Sequence, residues 1–444
     1  MPGLVTAAGS ERSRLWAQAA VSVGQVVSRT SRRLGLGAGS TIGGRAILAL
    51  DPEALRRLSV GRRVALVSGT NGKTTTTRLL AAALATDGPV VSNDAGANLP
   101  PGLVAALAAA PPGGRGALEV DEAWLGQVAE AVRPRAMALL NLSRDQLDRV
   151  SEVRSLGARW RAAVAAVPGA HVVANADDPI VAWAASEARR VTWVAAGQSW
   201  RLDAAGCPAC GGHISFDAER WACPRCGLAR PAPRVWLEGD DLVVADGRRL
   251  PFALALPGHF NRANAAMAGV VAEELGVPLD RGLAAMAGLV DVAGRYQVVP
   301  IGPTRDGTAS GAGPGEPGRS VSARLLLAKN PAGWAELLDL LDAPPAPVVL
   351  AINARVADGR DPSWLWDVPF ERLAGRQAVV TGDRRRDLAV RLAYAEVDHL
   401  VVADPLAAVS TAAELPGANA VLDVVANYTA FQDLRGALGR EGRR

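Results

Sequence analysis

VALVSGTNGKTTTTRLLA, residues 64–81, is the stretch on which the fold turns. Its apolar opening reads as a buried strand and its end, RLLA, as the start of a helix. Between them stands Gly69-Thr70-Asn71-Gly72-Lys73-Thr74-Thr75. A glycine-containing turn that leaves a strand and opens a helix can aim several backbone N–H groups at one phosphate, and the helix N-terminus adds favourable partial charge. Lys73 is then placed for the β- and γ-phosphates of ATP, and the Thr74 hydroxyl for Mg²⁺. The full Walker spacing would need a glycine where Val67 stands, so the loop is a variant whose first glycine is Gly69.

Outward from the loop, strand-like runs recur at 88–93 (GPVVSN), 116–120 (GALEV), 136–142 (AMALLNL) and 170–175 (AHVVAN), with helical stretches between them. That alternation predicts a mostly parallel sheet covered by helices on both faces. Glu119 ends one run at the carboxyl edge, where such sheets place ligands, and is the expected second magnesium ligand beside Thr74. Residues 1–45 predict one or two helices carrying Arg12, Arg14, Arg29, Arg32 and Arg33 around Trp16, Val21 and Val26. They read as a solvated lead-in, with weak attraction to an anionic membrane surface as the alternative. Residues 302–320 are rich in Gly, Pro and Ser and predict a mobile loop. Runs at RLLLA, APVVLAIN, QAVVTG and HLVVAD follow, predicting a second, smaller α/β domain. The expected organisation is therefore 1–45, 46–300 with an insert near 200–232, 301–320, and 321–444.

The 444 residues carry a net charge of only +4, which does not by itself favour nucleic acid. Lys73 and Lys329 are the two lysines among 48 basic residues. Where Arg has replaced Lys so thoroughly, a remaining lysine marks a place that suits a compact ammonium. No run approaches a membrane span and no signal peptide is evident, so a cytoplasmic protein is expected.

All four cysteines lie in the insert, as Cys207-Pro-Ala-Cys210 and Cys223-Pro-Arg-Cys226. Two such pairs can close a tetrahedral zinc site with no open position, hence a structural one. His213, between the pairs, reads as a surface residue. No cysteine is left as a nucleophile.

GTNGKTT, NLSRDQLD, NADDP and PGHFNRANAAMAG, in this order over about residues 60–300, resemble the Mur ligase family. Members form acyl-phosphates from carboxylates and ATP, which an amine then attacks. The four-Cys insert, LLLAKNPAG and DGRDPSWLWDVPFE narrow the likeness to the branch that forms the ligase subunit of lipid II isoglutaminyl synthase. The resemblance implies a Mur ligase-like P-loop domain with an inserted zinc ribbon and a smaller α/β C-terminal domain. It implies ATP and Mg²⁺ at Gly69 to Thr75 and Glu119, and adenosine-side contacts at Asn175, Asp177, Asp178 and Asn261. It also implies a hinge at Gly294-Arg295, with Lys329 brought to the reacting phosphate. The implied partner is a GatD-type glutaminase supplying ammonia, and the implied substrate is lipid II at the inner membrane face. Asp361 occupies the position implied to orient that partner's catalytic histidine; Asp358 is its neighbour and competitor, and Asp361 before Pro362 also suits a helix cap. Two departures stand out: Gln146 replaces a histidine common in the family, and no lysine lies between Lys73 and Lys329 to be carbamylated. The family's second metal site is thus absent or built differently.

Two rivals predict different behaviour. A Mur-type ligase adding an amino acid directly would need no glutaminase. A zinc-ribbon NTPase acting on nucleic acid would use Arg220, Trp221, Arg225 and Arg230.

Overall fold

The computed structural model describes residues 4–33, 40–93, 97–144, 153–218, 220–292, 295–304, 319–341 and 346–441. The strands are β1 (Arg63–Ser68), β2 (Val90–Ser92), β3 (Arg115–Glu119), β4 (Ala136–Leu139), β5 (His171–Asn175) and β6 (Val191–Ala195). A hairpin of β7 (Ser215–Asp217) and β8 (Arg220–Ala222) follows in the insert, then β9 (Val235–Glu238), β10 (Asp241–Val244) and β11 (Arg249–Pro251). Among the described residues all but the hairpin form one sheet, in the order β2-β3-β1-β4-β5-β6-β9-β10-β11. It is parallel from β2 to β9, and β10 runs antiparallel to both its neighbours.

The four runs expected as strands appear as β2 to β5. Strand β1, VALV at its centre, is buried on both faces, as a strand with helices above and below must be. On one face the helices Lys73–Ala85 and His259–Glu274 pack Leu79, Leu80, Met267 and Val271. On the other, Leu103, Leu107, Val128, Trp160 and Ile180 come from four further helices. The chain passes from β1 to one side for β2 and β3, then to the other for β4. The loops after β1, β3 and β4 therefore meet at one carboxyl edge, the place where such sheets open a crevice.

Among the described residues three helices precede the sheet, Leu4–Arg33, Ser40–Leu50 and the short Ala54–Ser59. The second lies on the helix Pro100–Ala109 so closely that a Cβ at Gly44 would fall 1.7 Å from the Pro101 carbonyl oxygen. Trp16, largely exposed, donates its indole N–H to Leu50 O at 3.0 Å. No helix among the described residues is long and apolar enough to cross a membrane.

The second sheet contains β12 (Tyr296–Thr304), β13 (Arg319–Leu327), β14 (Val348–Ala351), β15 (Ala378–Thr381), β16 (His399–Val401) and β17 (Val421–Ala426), in the order β12-β13-β17-β14-β15-β16. Only β12 is antiparallel. Its core on one face centres on Trp334 and Phe370, edge to face at 5.1 Å. The expected loop at 302–320 is shorter than its composition suggested. Strand β12 continues to Thr304 and β13 begins at Arg319, because Tyr296 to Ile301 pair in register with Leu326 to Val321. Residues 305–318 of that loop lie outside the described residues, as do Gln146 and Gly294.

Candidate functional site

The turn after β1 is shaped by Gly72, whose φ of 82° is left-handed. A Cβ there would stand 2.7 Å from Asn264 Oδ1, so glycine is required both by conformation and by space. Gly72 caps the helix Lys73–Ala85 without a side-chain bond, leaving the helix N-terminus open toward the crevice. Loop and neighbours are tied by hydrogen bonds. Thr70 Oγ1 donates to Ser143 O and accepts from Ser143 N, at 3.1 and 3.0 Å. Asn71 N donates to Asn141 Oδ1 at 2.8 Å, and Asn141 Nδ2 returns a bond to Asn71 O at 3.1 Å.

Lys73 is buried and donates to Gly69 O, to Thr70 O at 3.3 Å, and to Glu122 Oε2 at 2.8 Å. Thr74 Oγ1 donates to Glu119 Oε2 at 2.8 Å, and Asn98 Nδ2 donates to the other carboxylate oxygen at 3.0 Å. Backbone register explains the meeting: Val67 on β1 sits beside Glu119 on β3, so the strand end delivers its carboxylate to the start of the helix. Thr74 and Glu119 offer hard oxygen donors beside a phosphate-sized turn, a donor set that fits Mg²⁺.

The second sheet faces this edge. Asn330, N-cap of the helix Pro331–Leu340, exchanges two amide bonds with Asn71, at 3.2 and 3.1 Å. Arg295 lies within 3.5 Å of Thr74 Oγ1 and over the ring of Tyr428. Between the two units is a cavity of about 300 Å³, lined by Thr70 to Thr75, Asn98, Asp121, Asn175, Asn261, Arg295 and Lys329, among others. Both lysines of the chain thus reach one cavity, although 256 positions separate Lys73 from Lys329. Burial raises the Asp121 carboxyl above its ordinary value, and neighbouring Glu122 adds to the effect.

The remaining nucleotide-side candidates divide. Asn175 and Asn261 line the cavity. Asp177 lies behind it, accepting from Gly197 N at 2.7 Å and pairing with Arg230 at 2.5 Å. Asp178 does not reach it: the carboxylate is wholly buried as the N-cap of the helix Pro179–Ala185, accepting from Ile180 N, Val181 N and Leu142 N. Desolvation pushes its pKa up to about 6 despite those three donors. Asp178 therefore shapes the loop rather than touching anything in the cavity.

Glu122, Asn264 and the segment Gln198 to Trp200 escaped the sequence reading. Glu122 had one signal, an acid three residues beyond Glu119 at the same strand end. Asn264 had another, one helical turn beyond Asn261. The segment 198–200 follows β6, a strand whose alternating pattern was not recognised. Ser199 Oγ donates to Glu336 Oε1 at 2.7 Å across the two units, and burial holds the Glu336 carboxyl above its usual range.

The four cysteine sulfurs lie within 4.8 Å of one another. Cys207 to Cys226 is 3.6 Å and Cys210 to Cys223 is 3.5 Å. Tetrahedral thiolates at a Zn–S distance of about 2.3 Å sit roughly 3.8 Å apart, so the cage fits zinc. Gly211 N and Gly227 N donate to Cys207 O and Cys223 O, folding each pair into a tight knuckle. His213 is not in the cluster; its backbone bridges to Gly206.

Asp361 stands apart from the cavity. It is exposed and accepts Ser363 N at 2.9 Å, one residue ahead of Pro362, which is the N-cap of a 3-10 turn, Ser363–Asp367, and not of an α-helix. That bond holds its carboxyl below the usual range. Asp358, its competitor, is buried and occupied by Thr429 N, the Thr429 hydroxyl and Arg355 N.

The architecture is that of a P-loop-like α/β protein whose carboxyl edge is closed by a second α/β unit. Residues 67–272 match the Mur ligase middle domain and residues 327–431 the MurT ligase C-terminal domain. The MurT subunit of the glutamine-hydrolysing lipid II isoglutaminyl synthase of Streptococcus pneumoniae is 28% identical over 389 residues, covering 80% of this chain and 82% of that one. Its Staphylococcus aureus (strain N315) counterpart is 27% identical, covering 87% and 89%. In fold, the chain is similar to the pseudomurein peptide ligase type C of Methanothermus fervidus, with a TM-score of 0.64, 18% identity and coverage of 86% and 79%. The chain belongs to the Mur ligase family, in its MurT branch.

Proposed function

We propose that the chain binds Mg-ATP at the turn Gly69 to Thr75 and phosphorylates the α-carboxyl of D-glutamate in lipid II, making it the acceptor for ammonia from a GatD-type glutaminase. The observation that carries this reading is the convergence of Lys73, Lys329 and Thr74 on one cavity, with Glu119 hydrogen-bonded to Thr74 behind its edge. A carboxylate oxygen attacks the γ-phosphorus and ADP leaves. Ammonia then adds to the acyl carbon, phosphate departs, and loss of a proton yields the amide of D-isoglutamine.

Magnesium, held by Thr74 and Glu119, would neutralise charge on the phosphates. Lys73 offers an ammonium to the transferring group, and Lys329 and Arg295 bring positive charge from the opposite wall. Asn175 and Asn261 serve the adenosine side. The two units close over the acyl-phosphate, and the amide pair between Asn71 and Asn330 is the kind of contact that would form with closure.

A partner for ammonia release is supported by the cysteine arrangement, since every cysteine of the sequence belongs to the zinc cluster. Asp361 is the acid we assign to the partner's histidine. Its carboxylate is exposed and ionised, whereas Asp358 is buried against Thr429. The turn bond from Ser363 N uses one carboxylate oxygen, and the second can serve elsewhere.

The test is amide formation by the purified complex from lipid II, glutamine and ATP. Lys73→Ala should abolish it, and an unchanged rate would remove the turn from the mechanism. Asp361→Asn should keep ATP binding and ammonium-supported amidation while losing the glutamine-supported reaction. Full glutamine use by that variant would leave Asp361 with only its turn bond from Ser363.

A further inference from the structure

The zinc ribbon has no part in the chemistry above, yet it is seated against the back of the nucleotide site. Its core of Cys207, Ile214, Trp221 and Cys223 packs on Ala182, in the helix that follows the Asn175 to Asp178 turn. From that seat two ribbon side chains reach the turn itself. Trp221 donates its indole N–H to Ala176 O at 3.0 Å, and Arg230 pairs with Asp177 at 2.5 Å. Both side chains of the Arg230–Asp177 pair are largely shielded from solvent, at 15% and 13% exposure. Arg230 N also donates to Trp221 O at 2.9 Å, so the two act as one clamp. Trp221 is two residues from Cys223, which ties its position to the metal cage.

The clamped turn passes the constraint forward. Asp177 uses its other carboxylate oxygen to accept Gly197 N at 2.7 Å. Asn175 accepts Asp177 N and donates to Gly197 O at 3.0 Å. Ala196, Gly197 and Gln198 line the cavity beside Asn175. A chain of contacts thus runs from the four-Cys cage to the cavity wall formed by Asn175 and Ala196 to Gln198, and none of its links is Lys73, Thr74 or Glu119.

We propose that the zinc ribbon is a brace for the adenosine side of the nucleotide site, with Arg230 and Trp221 as positioning residues acting through Asp177 and Ala176. The inference rests on the nucleotide reading of the cavity. Without the brace the two loops that border the base and ribose would be less ordered, and binding would carry the entropy of ordering them. The phosphate turn is held by Asn141 and Ser143, whose loop leans on Asp178 through Leu142 N and not on Asp177 or Ala176, so it would keep its geometry.

The experiment uses the full zinc-loaded chain and two probes with Mg²⁺, a non-hydrolysable ATP analogue and inorganic tripolyphosphate, titrated calorimetrically. Arg230→Gln should weaken the analogue about tenfold, the scale of one lost charge-assisted contact, and leave tripolyphosphate unchanged. Trp221→Phe, which keeps the ring in the ribbon core, should weaken the analogue about threefold by the loss of one neutral hydrogen bond. Zinc content measured on both variants should match the wild type, so that neither result reflects a lost ribbon. Analogue affinity unchanged in both variants, or equal weakening toward both probes, overturns the brace. Failure of the wild type to bind the analogue sinks the nucleotide reading, and this inference with it.

Discussion

Glu122→Gln is the most informative single perturbation, because Glu122 holds the lysine on which the proposed mechanism depends. The Lys73–Glu122 distance is 2.8 Å and the side chains are 9% and 10% exposed. At an effective dielectric constant of about 20, the attraction at that distance is roughly 6 kcal/mol, much of it offset by desolvation of the two ions. Removing one partner of such a pair costs about 3–5 kcal/mol, since the other charge stays buried. Glutamine keeps an acceptor oxygen, and the Glu122 backbone carbonyl keeps its bond from Trp160, so the low end, about 3 kcal/mol, is expected. Bound phosphates would supply a new counter-charge to Lys73. In the wild type they compete with Glu122; in the variant they do not. The variant should therefore bind a Mg-bound ATP analogue more tightly, by about tenfold, which returns about 1.4 kcal/mol of stability at saturation. Urea unfolding with and without the analogue measures both quantities. An equal loss of stability in the two conditions would show that Glu122 does not compete for Lys73, and the reasoning would fail.

Three further outcomes follow from particular contacts. Asp178 has its pKa raised to about 6, so the folded chain takes up a proton there while the unfolded chain does not until near the ordinary carboxylate value. Stability at this site should rise as pH falls from 7 through 6 toward 4, and carbon-detected titration of Asp178 should give a midpoint near 6; a midpoint near 4 contradicts the burial argument. Cys226→Ser should lower zinc content well below that of the wild type and loosen the ribbon, read as faster proteolysis within residues 200–232, while β1 to β5 stay protected in hydrogen exchange. Asn330→Ala should leave half-buried Asn71 short of its cross-unit partner and cost about 1–2 kcal/mol, and Asn71→Ala in the same background should cost much less than it does alone, as a double-mutant cycle would register.

Local signals in the chain were enough for the parts whose chemistry is carried by neighbours in sequence. The strand, turn and helix of residues 64–81 point to the proposed phosphate site because Gly72, Lys73 and Thr74 must be adjacent to do that work. The two Cys pairs are legible for the same reason: a knuckle is a local loop. Strand β17 was not legible. VLDVVA carries Asp423 in its middle, and only pairing with β13 brings Arg324 alongside to neutralise it at 2.6 Å in the centre of the second sheet. Asp177 and Asp178 are adjacent and similar in sequence, yet one meets Arg230 and the other is sealed beneath Leu142. Nor does any local pattern connect Asn71 to Asn330, Lys73 to Glu122, or Trp221 to Ala176. Such contacts join segments far apart in the chain, and which side chains meet is settled by sheet order and helix packing. Sequence alone determined what chemistry the phosphate turn and the four-Cys cage can perform; tertiary structure decided which residues stand behind them, because support comes from whatever the fold carries to the same edge.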